Sequence, residues 1–372
     1  MHRRHLVSRP SAQADRAGAD RTVHRGSGDS PHARGGCGVK ILYVGDDWVG
    51  SNARSLADGF RQAGHEVVVI DSTAVTLPAR LSPPWVYAKV TGRRAPWRVA
   101  AIHAEIDRAA ADFRPDLLFV FKGVHLDQRR LLSVPAAMRV HYSPDDVANP
   151  VNTSPEYLAH ERDWDLIVTT KRHNVAELRA RGAREVRFVR SAYDPAWHHP
   201  TARRGGTRYL VGFIGVCRPD RRTDMVALGR TYGARLLVRG PGWRRVPELR
   251  ATGTTVAGPV YGEQYSQAVA AVTANLVLLN SDNRDTHTCR TFEVPAAGGL
   301  FVGERTDEHA ELLDDAVDCF LFGSRTELRE IIDWCAAHPE KAAAVAESGY
   351  RRITGGGHRY VDRAREIVDA LA

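Results

Sequence analysis

The sequence predicts an α/β protein made of two similar halves, each a parallel β-sheet flanked by helices. Short apolar runs alternate along the chain with segments of helical spacing, which is the order of βα units. Several of these runs are partly β-branched, as strands buried on both faces tend to be. The alternation stops at 193–207, "YDPAWHHPTARRGGT", and then begins again, which indicates a connection between two domains.

The first half, predicted as residues 39–195, opens with the strand "KILYVG", the helix "SNARSLADGFRQAG" and the strand "HEVVVID". The helix ends at a glycine and begins at Ser51, whose side chain can cap the first backbone N–H groups. Three further apolar runs predict strands at "RPDLLFVFKG", "MRVHYS" and "WDLIVTT". Together these elements predict the first parallel sheet.

The second half, predicted as residues 207–355, repeats the pattern. Strands are predicted at "RYLVGFIG", "ARLLVRG", "NLVLLN", "LFVGE" and "DCFLFG", and helices at "DRRTDMVALGRTYG", "GEQYSQAVAAVTA", "RTFEVPAAGG" and "DEHAELLDD". The chain from Arg325 has mostly helical spacing, and residues 356–372 are predicted as a C-terminal helix. Two domains also suit the length of 372 residues, which exceeds what one hydrophobic core usually fills.

Residues 1–38 are predicted to form a disordered basic tail, because they are rich in Arg, His, Gly and Ser and have little to bury. The seven arginines and three aspartates of this tail account for half of the formal net charge of +8. Such a charge leaves a peripheral contact with a membrane open. Because arginine greatly outnumbers lysine in the chain, the charge reflects a compositional bias, and no specific nucleic-acid partner is predicted.

The compartment is predicted to be the cytoplasm. The N-terminus lacks the apolar segment of a signal peptide, and no apolar run reaches the roughly 20 residues that cross a bilayer. The five cysteines are scattered, without Cys-x-x-Cys or zinc-like spacing, which suits a reducing compartment. Cys289 is a candidate nucleophile, although a free cysteine is more often a small apolar filler.

Functional residues are expected in the loops after strands, because ligands of such sheets bind beyond the carboxyl ends of the strands. The first loop, "VGDDWVGSN", has neither a dinucleotide fingerprint nor a phosphate-binding Gly-Lys-Ser/Thr motif. In the second half, Gly215 ends a strand, and Arg218, Arg221 and Arg222 follow it at the start of a helix. Arginine side chains and helix N–H groups together suit a diphosphate, with a solvated arginine cluster as the alternative.

The next strand of the second half ends in "RGPGW". Gly240 and Gly242 are predicted to contact a ligand, because glycine lets the backbone approach a ligand closely. Trp243 could stack on a nucleotide base, but packing in the core is the more common use of such a residue.

The segment 281–299, "SDNRDTHTCRTFEVPAAGG", carries the densest set of candidates. Arg290 and Glu293 share one face of the first helical turn, where a glutamate can bind two ribose hydroxyls and an arginine can bind a diphosphate. Gly298 is expected to stop the helix, and His287 lies in the preceding loop. Asp285 precedes Glu293 by eight residues and is placed to meet a sugar. The alternative is an Arg290–Glu293 ion pair on the helix surface.

In the first half, the stretch "HYSPDD" ends a strand with His141, Asp145 and Asp146. One of these acids is a candidate general base for a ligand hydroxyl. Adjacent aspartates also occur as helix N-caps, and that alternative stays open. Lys122 and Lys171 end two other strands and are weaker candidates for contacts with a phosphate or another ligand group.

At these residues the sequence resembles the CgeB-type, or spore-maturation-like, glycosyltransferases of the GT-B fold. The resemblance rests on "FIGVCRPDRR", "RGPGW", "VLLNSDNRDTHTCRTFEVPAAGGLFVGERTDEHAELL" and "HPEKAAAVAESGYRRI", with "HYSPDDVANPVN" and "DWDLIVTTKRHNVAEL" in the first half. The Asp285-x7-Glu293 spacing is similar to the Glu-x7-Glu motif of retaining GT-B enzymes, with the shorter aspartate in first place. The resemblance to this family implies two Rossmann-like domains that face each other across a cleft.

The resemblance also implies a hexosyltransferase-like enzyme that moves a sugar from a nucleotide diphosphate to a glycan, lipid or small-molecule acceptor. The first domain would hold the acceptor, with Asp145 or Asp146 as the general base for its hydroxyl. The second domain would bind the donor, with Glu293 at the ribose, Arg221 and Arg290 at the diphosphate, and Asp285 near the sugar. The other residues predicted to bind the donor are Gly215, Gly240, Gly242, His287 and Gly298. Such a scheme requires no metal and no further cofactor, because arginines and a helix dipole neutralise the leaving group. Two alternatives are an epimerase of nucleotide sugars on the same fold and a GT-B-like protein that binds nucleotide without turnover.

Overall fold

Two six-stranded parallel sheets organise the chain in the computed structural model, which describes residues 38–201 and 207–371. The first sheet has the spatial order β2-β1-β3-β4-β5-β6. Its strands are β1 (Lys40–Gly45), β2 (Glu66–Asp71), β3 (Leu117–Phe121), β4 (Met138–Ser143), β5 (Leu166–Thr169) and β6 (Val186–Phe188).

The second sheet has the spatial order β12-β11-β10-β7-β8-β9. Its strands are β7 (Tyr209–Ile214), β8 (Leu236–Arg239), β9 (Thr255–Ala257), β10 (Val272–Val277), β11 (Leu300–Glu304) and β12 (Phe320–Phe322). The two parallel sheets predicted from the sequence are therefore confirmed.

Helices flank both sheets. Those that lie among the strands of the first sheet are α1 (Asn52–Gln62), α2 (Thr73–Thr76), α3 (Pro83–Thr91), α4 (Pro96–Phe113), α5 (Gln128–Leu132), α6 (Pro155–His160) and α7 (Arg172–Ala180). Those that follow are α8 (Pro219–Tyr232), α9 (Pro247–Arg250), α10 (Glu263–Ala270), α11 (Cys289–Ala296), α12 (Asp307–Leu312), α13 (Arg325–Ala337), α14 (Pro339–Gly355) and α15 (Tyr360–Asp369). No helix in this described part of the chain combines the length and the apolar character needed to span a bilayer.

Interior strands such as β1 and β3 are largely apolar because they are covered on both faces. In β1, Leu42 and Val44 pack into one core cluster, and Ile41 and Tyr43 pack into another on the opposite face. All four side chains are fully buried. Since complete burial of such a side chain contributes about 1.5–3 kcal/mol, the central strands supply much of the stability of each half.

In each sheet, the strands that follow the first one along the chain are placed on both sides of it. β1 lies between β2 and β3, and β7 lies between β8 and β10. At such a switch point the connections leave toward opposite faces of the sheet, which opens a crevice beyond the carboxyl ends of the strands. The loops after β1 and β7 border these crevices.

The C-terminal helix α15 returns to the first half. Tyr360, Ala364 and Ile367 of α15 join the core cluster that contains α1 and the first sheet. The backbones of the two helices touch at Gly59, where a Cβ atom would lie 2.6 Å from the Tyr360 carbonyl oxygen. From Gly38 onward the chain forms a single compact unit, and the predicted domain boundaries at 39–195, 207–355 and 356–372 stay a prediction.

Some predicted elements need correction. The helix expected over 262–274 ends at Ala270, and β10 begins at Val272, inside that range. The short strands β6 and β9 and the helices α2 to α7 and α9 were not predicted from the sequence. The N-cap prediction is confirmed, because the Ser51 hydroxyl oxygen accepts a hydrogen bond from the Ala53 N–H at 3.2 Å. The predicted disordered tail, residues 1–38, lies outside the described residues except for its last residue.

Candidate functional site

A cavity of about 500 Å³ lies where loops of the first half meet the loop before α11. The first half contributes the loop after β1 and the carboxyl ends of β3, β4 and β5. The second half contributes Asn283, Asp285, Thr288 and Cys289. The cavity therefore lies in the cleft that parallel sheets of this kind use for ligands.

A buried ion pair crosses this cleft. The Lys171 ammonium at the end of β5 lies 2.6 Å from Asp285 Oδ1, and both side chains are almost fully buried. The other carboxylate oxygen of Asp285 accepts a hydrogen bond from the Asn280 N–H at 3.2 Å. Both side chains line the cavity, so the predicted catalytic acid and one of the predicted lysines meet at one point.

The predicted acid Asp145 lines the same cavity. Its carboxylate lies 2.5 Å from the Lys122 ammonium and accepts a hydrogen bond from the Asn283 side-chain amide at 2.9 Å. Burial opposes the ionisation of Asp145, but Lys122 and Asn283 together hold its pKa below the usual value. Asp145 is therefore ionised at neutral pH and is able to accept a proton or a hydrogen bond from a hydroxyl.

The neighbouring Asp146 has a different position. It is buried, and both of its oxygens accept hydrogen bonds from Arg284, at 2.6 and 2.8 Å. It also accepts from the Ala148 N–H and the Asn174 amide, each at 2.9 Å. These bonds hold its pKa well below the usual range despite burial. Asp146 is absent from the cavity wall, so its geometry favours a contact between the halves, and a base role finds no support.

Arg290 and Glu293 line a second cavity, of about 330 Å³, between α11 and the loop after β1. They form an ion pair with each other, as the alternative from the sequence expects, but the Glu293 side chain is only 4% exposed. The Arg290 guanidinium stacks on the Tyr265 ring at 4.4 Å, and the His198 ring lies 3.7 Å from the Glu293 carboxylate. The pair thus belongs to a cavity wall and not to an outer helix surface.

The two cavities adjoin at four shared residues, Trp48, Asn52, Thr288 and Cys289. The Asn52 amide donates to the Cys289 sulfur at 3.0 Å. Burial raises the pKa of Cys289 to about 11, so this thiol is protonated at neutral pH. A protonated thiol is a poor nucleophile, which favours the filler interpretation of the half-buried Cys289.

Two predicted donor contacts lie away from both cavities. His287 is fully buried, where its ring contacts the Glu308 carboxylate and accepts a hydrogen bond from the Ser191 N–H at 3.1 Å. The Arg221 guanidinium donates to the Leu278 carbonyl at 2.8 Å and lies over the Phe213 ring at 5.7 Å. Neither residue lines a cavity, so the geometry gives no support to a direct donor contact for His287 or Arg221.

The predicted glycines serve backbone contacts between loops. Gly240 has a φ of +140°, and a Cβ atom there would lie 2.0 Å from the carbonyl oxygen of Gly215. A Cβ atom at Gly242 would lie 2.9 Å from Cys217. Trp243 is fully buried and donates its indole N–H to the Gly215 carbonyl at 2.7 Å, so the packing interpretation is confirmed. Donor contacts of Gly215, Gly240 and Gly242 stay predictions.

Gly298 ends α11 as predicted. Its φ is +74°, a conformation that glycine adopts without strain, and its N–H donates to the Pro295 carbonyl at 2.8 Å. At the other end of the helix, Thr288 is the N-cap and accepts from the Arg290 N–H at 3.2 Å. The cap fixes the first turn and therefore the position of Arg290 and Glu293 beside the cleft.

Sequence reasoning missed several residues of the site. Asn283 and Arg284 bind the first half, and both lie within the loop whose neighbours were singled out. His198, Tyr265 and Asn52 come from distant parts of the chain, and no local pattern marks them. Among residues 38–201 and 207–371, no group of three His, Cys, Asp or Glu side chains is arranged to hold a metal ion.

A protein family described as "Glycosyl transferase-like" matches residues 221–369, which include most of the second half. No curated protein matches the chain. In structure, the chain is similar to Anabaena HepE, solved in complex with UDP-glucose, with 14% identity and a TM-score of 0.62 over 90% of this chain and 99% of HepE.

Two other solved structures are similar at low identity. Sucrose-phosphate synthase from Thermosynechococcus elongatus has 13% identity and a TM-score of 0.63, over 89% of this chain and 98% of that chain. A putative UDP-N-acetylglucosamine 2-epimerase from Listeria monocytogenes has 12% identity and a TM-score of 0.54, over 90% and 96%. With its two parallel-sheet halves, the chain has the GT-B fold that the resemblance implies.

Proposed function

We propose that the chain is a glycosyltransferase that moves a hexose from a nucleotide diphosphate to an acceptor bound in the cleft, without a metal ion. The observation that carries the proposal is the buried Glu293 carboxylate, paired with Arg290 on the wall of a cavity between the halves. The match of residues 221–369 to glycosyl transferase-like proteins supports it, because these residues include both side chains. We further propose that the chain belongs to the CgeB-type subgroup, which is supported by the segments of its sequence that resemble that subgroup.

Glu293 is proposed to bind the ribose. A carboxylate accepts hydrogen bonds at both oxygens, and two vicinal hydroxyls donate two. In the proposed complex, the Arg290 guanidinium moves from the carboxylate to the diphosphate while the ribose hydroxyls take its place at Glu293. Tyr265 supports Arg290 from one side, which limits the movement of the arginine to the plane above the ring.

The sugar is proposed to lie where the two cavities adjoin, close to the Lys171–Asp285 pair. Lys171 and Arg290 then stabilise the negative charge that develops on the departing diphosphate, in place of a metal ion. Asp285 is proposed to contact the sugar hydroxyls. Asp145, on the acceptor side and held ionised by Lys122, is proposed to accept the hydrogen bond of the attacking hydroxyl.

The proposal is tested by nucleotide-sugar binding to Glu293→Ala and Glu293→Gln, measured by calorimetry with UDP-glucose and other nucleotide sugars. Loss of buried hydrogen bonds to the ribose is expected to weaken binding by about 1–3 kcal/mol in Glu293→Ala. Glu340→Ala is the matched control, because Glu340 is exposed on α14. Equal affinity of folded Glu293→Ala and wild-type protein would reject the ribose role.

The similarity to a putative 2-epimerase favours a second candidate function on the same fold. An epimerase would convert the nucleotide sugar into an isomer without any acceptor, whereas a transferase would release the nucleoside diphosphate and yield a glycosylated acceptor. A non-catalytic protein would bind the nucleotide and produce neither. Product analysis by mass spectrometry and NMR therefore separates the three functions.

The remaining features of the proposal concern partners and place. The acceptor is a glycan, a lipid or a small molecule that carries a hydroxyl, and no cofactor beyond the nucleotide sugar takes part. We propose that the reaction takes place in the cytoplasm, where nucleotide sugars are the donor. Contact of residues 1–38 with a membrane stays a prediction, since this segment lies almost wholly outside the described residues.

A further inference from the structure

One segment of the first half carries positive charge without any negative charge of its own. Residues 72–104, which form α2, α3 and the first part of α4, contain no Asp or Glu and are here called the α2–α4 surface. The chain has 44 acids in 372 residues, so a segment of this length would hold about four at the average density. The segment has five cations, none of which forms an ion pair within 4 Å in the described part of the chain: Arg80, Lys89, Arg93, Arg94 and Arg98.

The same surface exposes large apolar side chains. The helix α3 buries only Pro84, and Val86 and Val90, one turn apart on its outer face, are 45% and 80% exposed. Leu81 before α3 and Trp97 at the start of α4 are also exposed. The Trp97 ring contacts the Tyr87 ring edge-on at 5.1 Å, so α3 and the start of α4 form one continuous patch.

We propose that the α2–α4 surface docks on an anionic lipid bilayer. A bilayer of this kind satisfies both features at once, because its headgroups attract the cations and its interface accepts the aliphatic and tryptophan side chains. A nucleic acid would satisfy the charge and leave the valines in water. At nine residues α3 is too short to cross a bilayer, and so it lies along the interface.

The position of the surface links docking to the cleft. A groove of about 1070 Å³ runs beneath it, lined by Trp85, Lys89 and Arg94 among others. Arg94 and His125 line both this groove and the cavity between the halves. A docked protein therefore has the groove at the membrane, with a route from the lipid to the cleft. If the acceptor is a lipid, this route would deliver it to the cleft. That use of the route rests on the proposed function, whereas docking itself does not.

Sedimentation of the full chain with vesicles tests the proposal. Wild-type protein is expected to bind vesicles of phosphatidylcholine with phosphatidylglycerol, more weakly at high salt, and to ignore phosphatidylcholine alone. The triple variant Lys89→Gln, Arg93→Gln and Arg98→Gln is expected to lower the partition coefficient about 100-fold, from about fivefold for each cation. The pair Val86→Ser and Val90→Ser is expected to lower it about tenfold.

The matched control is the triple variant Arg244→Gln, Arg245→Gln and Arg250→Gln, which removes the same charge from exposed positions of the second half. This control should retain binding within about twofold of wild type, since its charges lie away from the surface. Circular dichroism verifies that each variant is folded. Neither donor nor acceptor is present in the assay, so its outcome is independent of the glycosyltransferase proposal.

Three results would overturn the docking proposal. The first is absence of wild-type binding to the anionic vesicles. The second is an equal loss in the control triple variant, which would assign binding to net charge and not to the α2–α4 surface. The third is a loss in the Lys89, Arg93 and Arg98 variant but none in the Val86 and Val90 variant, together with binding to duplex DNA, which would mark a site for polyanions.

Discussion

Arg284 joins the two halves from a strained backbone position, and its removal should separate two energetic effects. Its guanidinium donates to both oxygens of Asp146, at 2.6 and 2.8 Å, and to both oxygens of Glu177, at 2.8 and 2.9 Å. Its backbone lies in the left-handed region, with φ of 45° and ψ of 40°. Arg284→Ala removes the hydrogen bonds and keeps the strain, whereas Arg284→Gly removes both.

The magnitudes follow from the exposure of each partner. Glu177 and the 45% exposed Arg284 form a pair of the surface type, worth about 0.5 kcal/mol. Asp146 is buried and keeps the Asn174 and Ala148 donors, so the loss of Arg284 costs about 2 kcal/mol there. Arg284→Ala should therefore lower the free energy of unfolding by about 2.5 kcal/mol.

Arg284→Gly should lower the free energy of unfolding by less. A left-handed conformation costs a non-glycine residue roughly 1–2 kcal/mol, and substitution by glycine removes this cost. The greater backbone entropy of glycine in the unfolded chain destabilises the folded state and offsets up to about 1 kcal/mol of the relief. The glycine variant should therefore be the more stable of the two by up to about 1 kcal/mol.

Urea denaturation measures both free energies of unfolding. Arg351→Ala serves as the control, because Arg351 forms only an exposed pair with Glu347, and should change the free energy by less than about 0.5 kcal/mol. The reasoning is refuted if Arg284→Ala is as stable as the control or if Arg284→Gly is less stable than Arg284→Ala.

Two further predictions concern buried charges. Lys171→Met and Asp285→Asn should each lower the free energy of unfolding by about 3 kcal/mol, because each leaves a buried charge without its partner. In urea denaturation, the double variant should lose less free energy of unfolding than the sum of the two single losses. Additive losses would show that the two side chains do not interact. Burial lowers the pKa of His141 and of His309 to about 4. Between pH 6.5 and about 4 these side chains are therefore protonated in the unfolded chain but neutral in the folded chain. The melting temperature should consequently fall as the pH falls through this range. His309→Gln should make that fall shallower, and a melting temperature independent of pH over this range would disprove the account.

The sequence predicts most of the strands because burial on both faces leaves a local signal. "KILYVG" and "LFVGE" are short, apolar and bounded by glycine or polar residues, and both form interior strands, β1 and β11. β6 and β9 escaped prediction because their residues, VRF and TVA, include a polar side chain and form no apolar run, whereas the equally short edge strand β12, FLF, is apolar throughout. The boundary between α10 and β10 was misplaced because "AVAAV" is entirely apolar and therefore fits both the helical and the strand pattern of hydrophobic residues.

The site divides in the same way. Features that depend on spacing within one turn were predictable, such as the glycine stop at Gly298 and the shared face of Arg290 and Glu293. Contacts between the halves were not, because a pattern in one loop does not identify the loop that it meets. Arg284 and Asp146 are 138 positions apart, and only the packing of the two sheets brings them together.

Glu293 explains why an ion pair and a ligand site are compatible interpretations of one sequence. A carboxylate that is 4% exposed is costly to bury without a partner, so Glu293 needs a cation beside it until, in the proposed complex, the ribose hydroxyls take that place. Arg290 meets that need from the adjacent helical position, and stacking on Tyr265 keeps it at the cavity. In the proposed function, the arginine that pairs with Glu293 is also the cation that binds the diphosphate, and the donor replaces one charge-assisted contact by two: ribose with Glu293 and phosphate with Arg290.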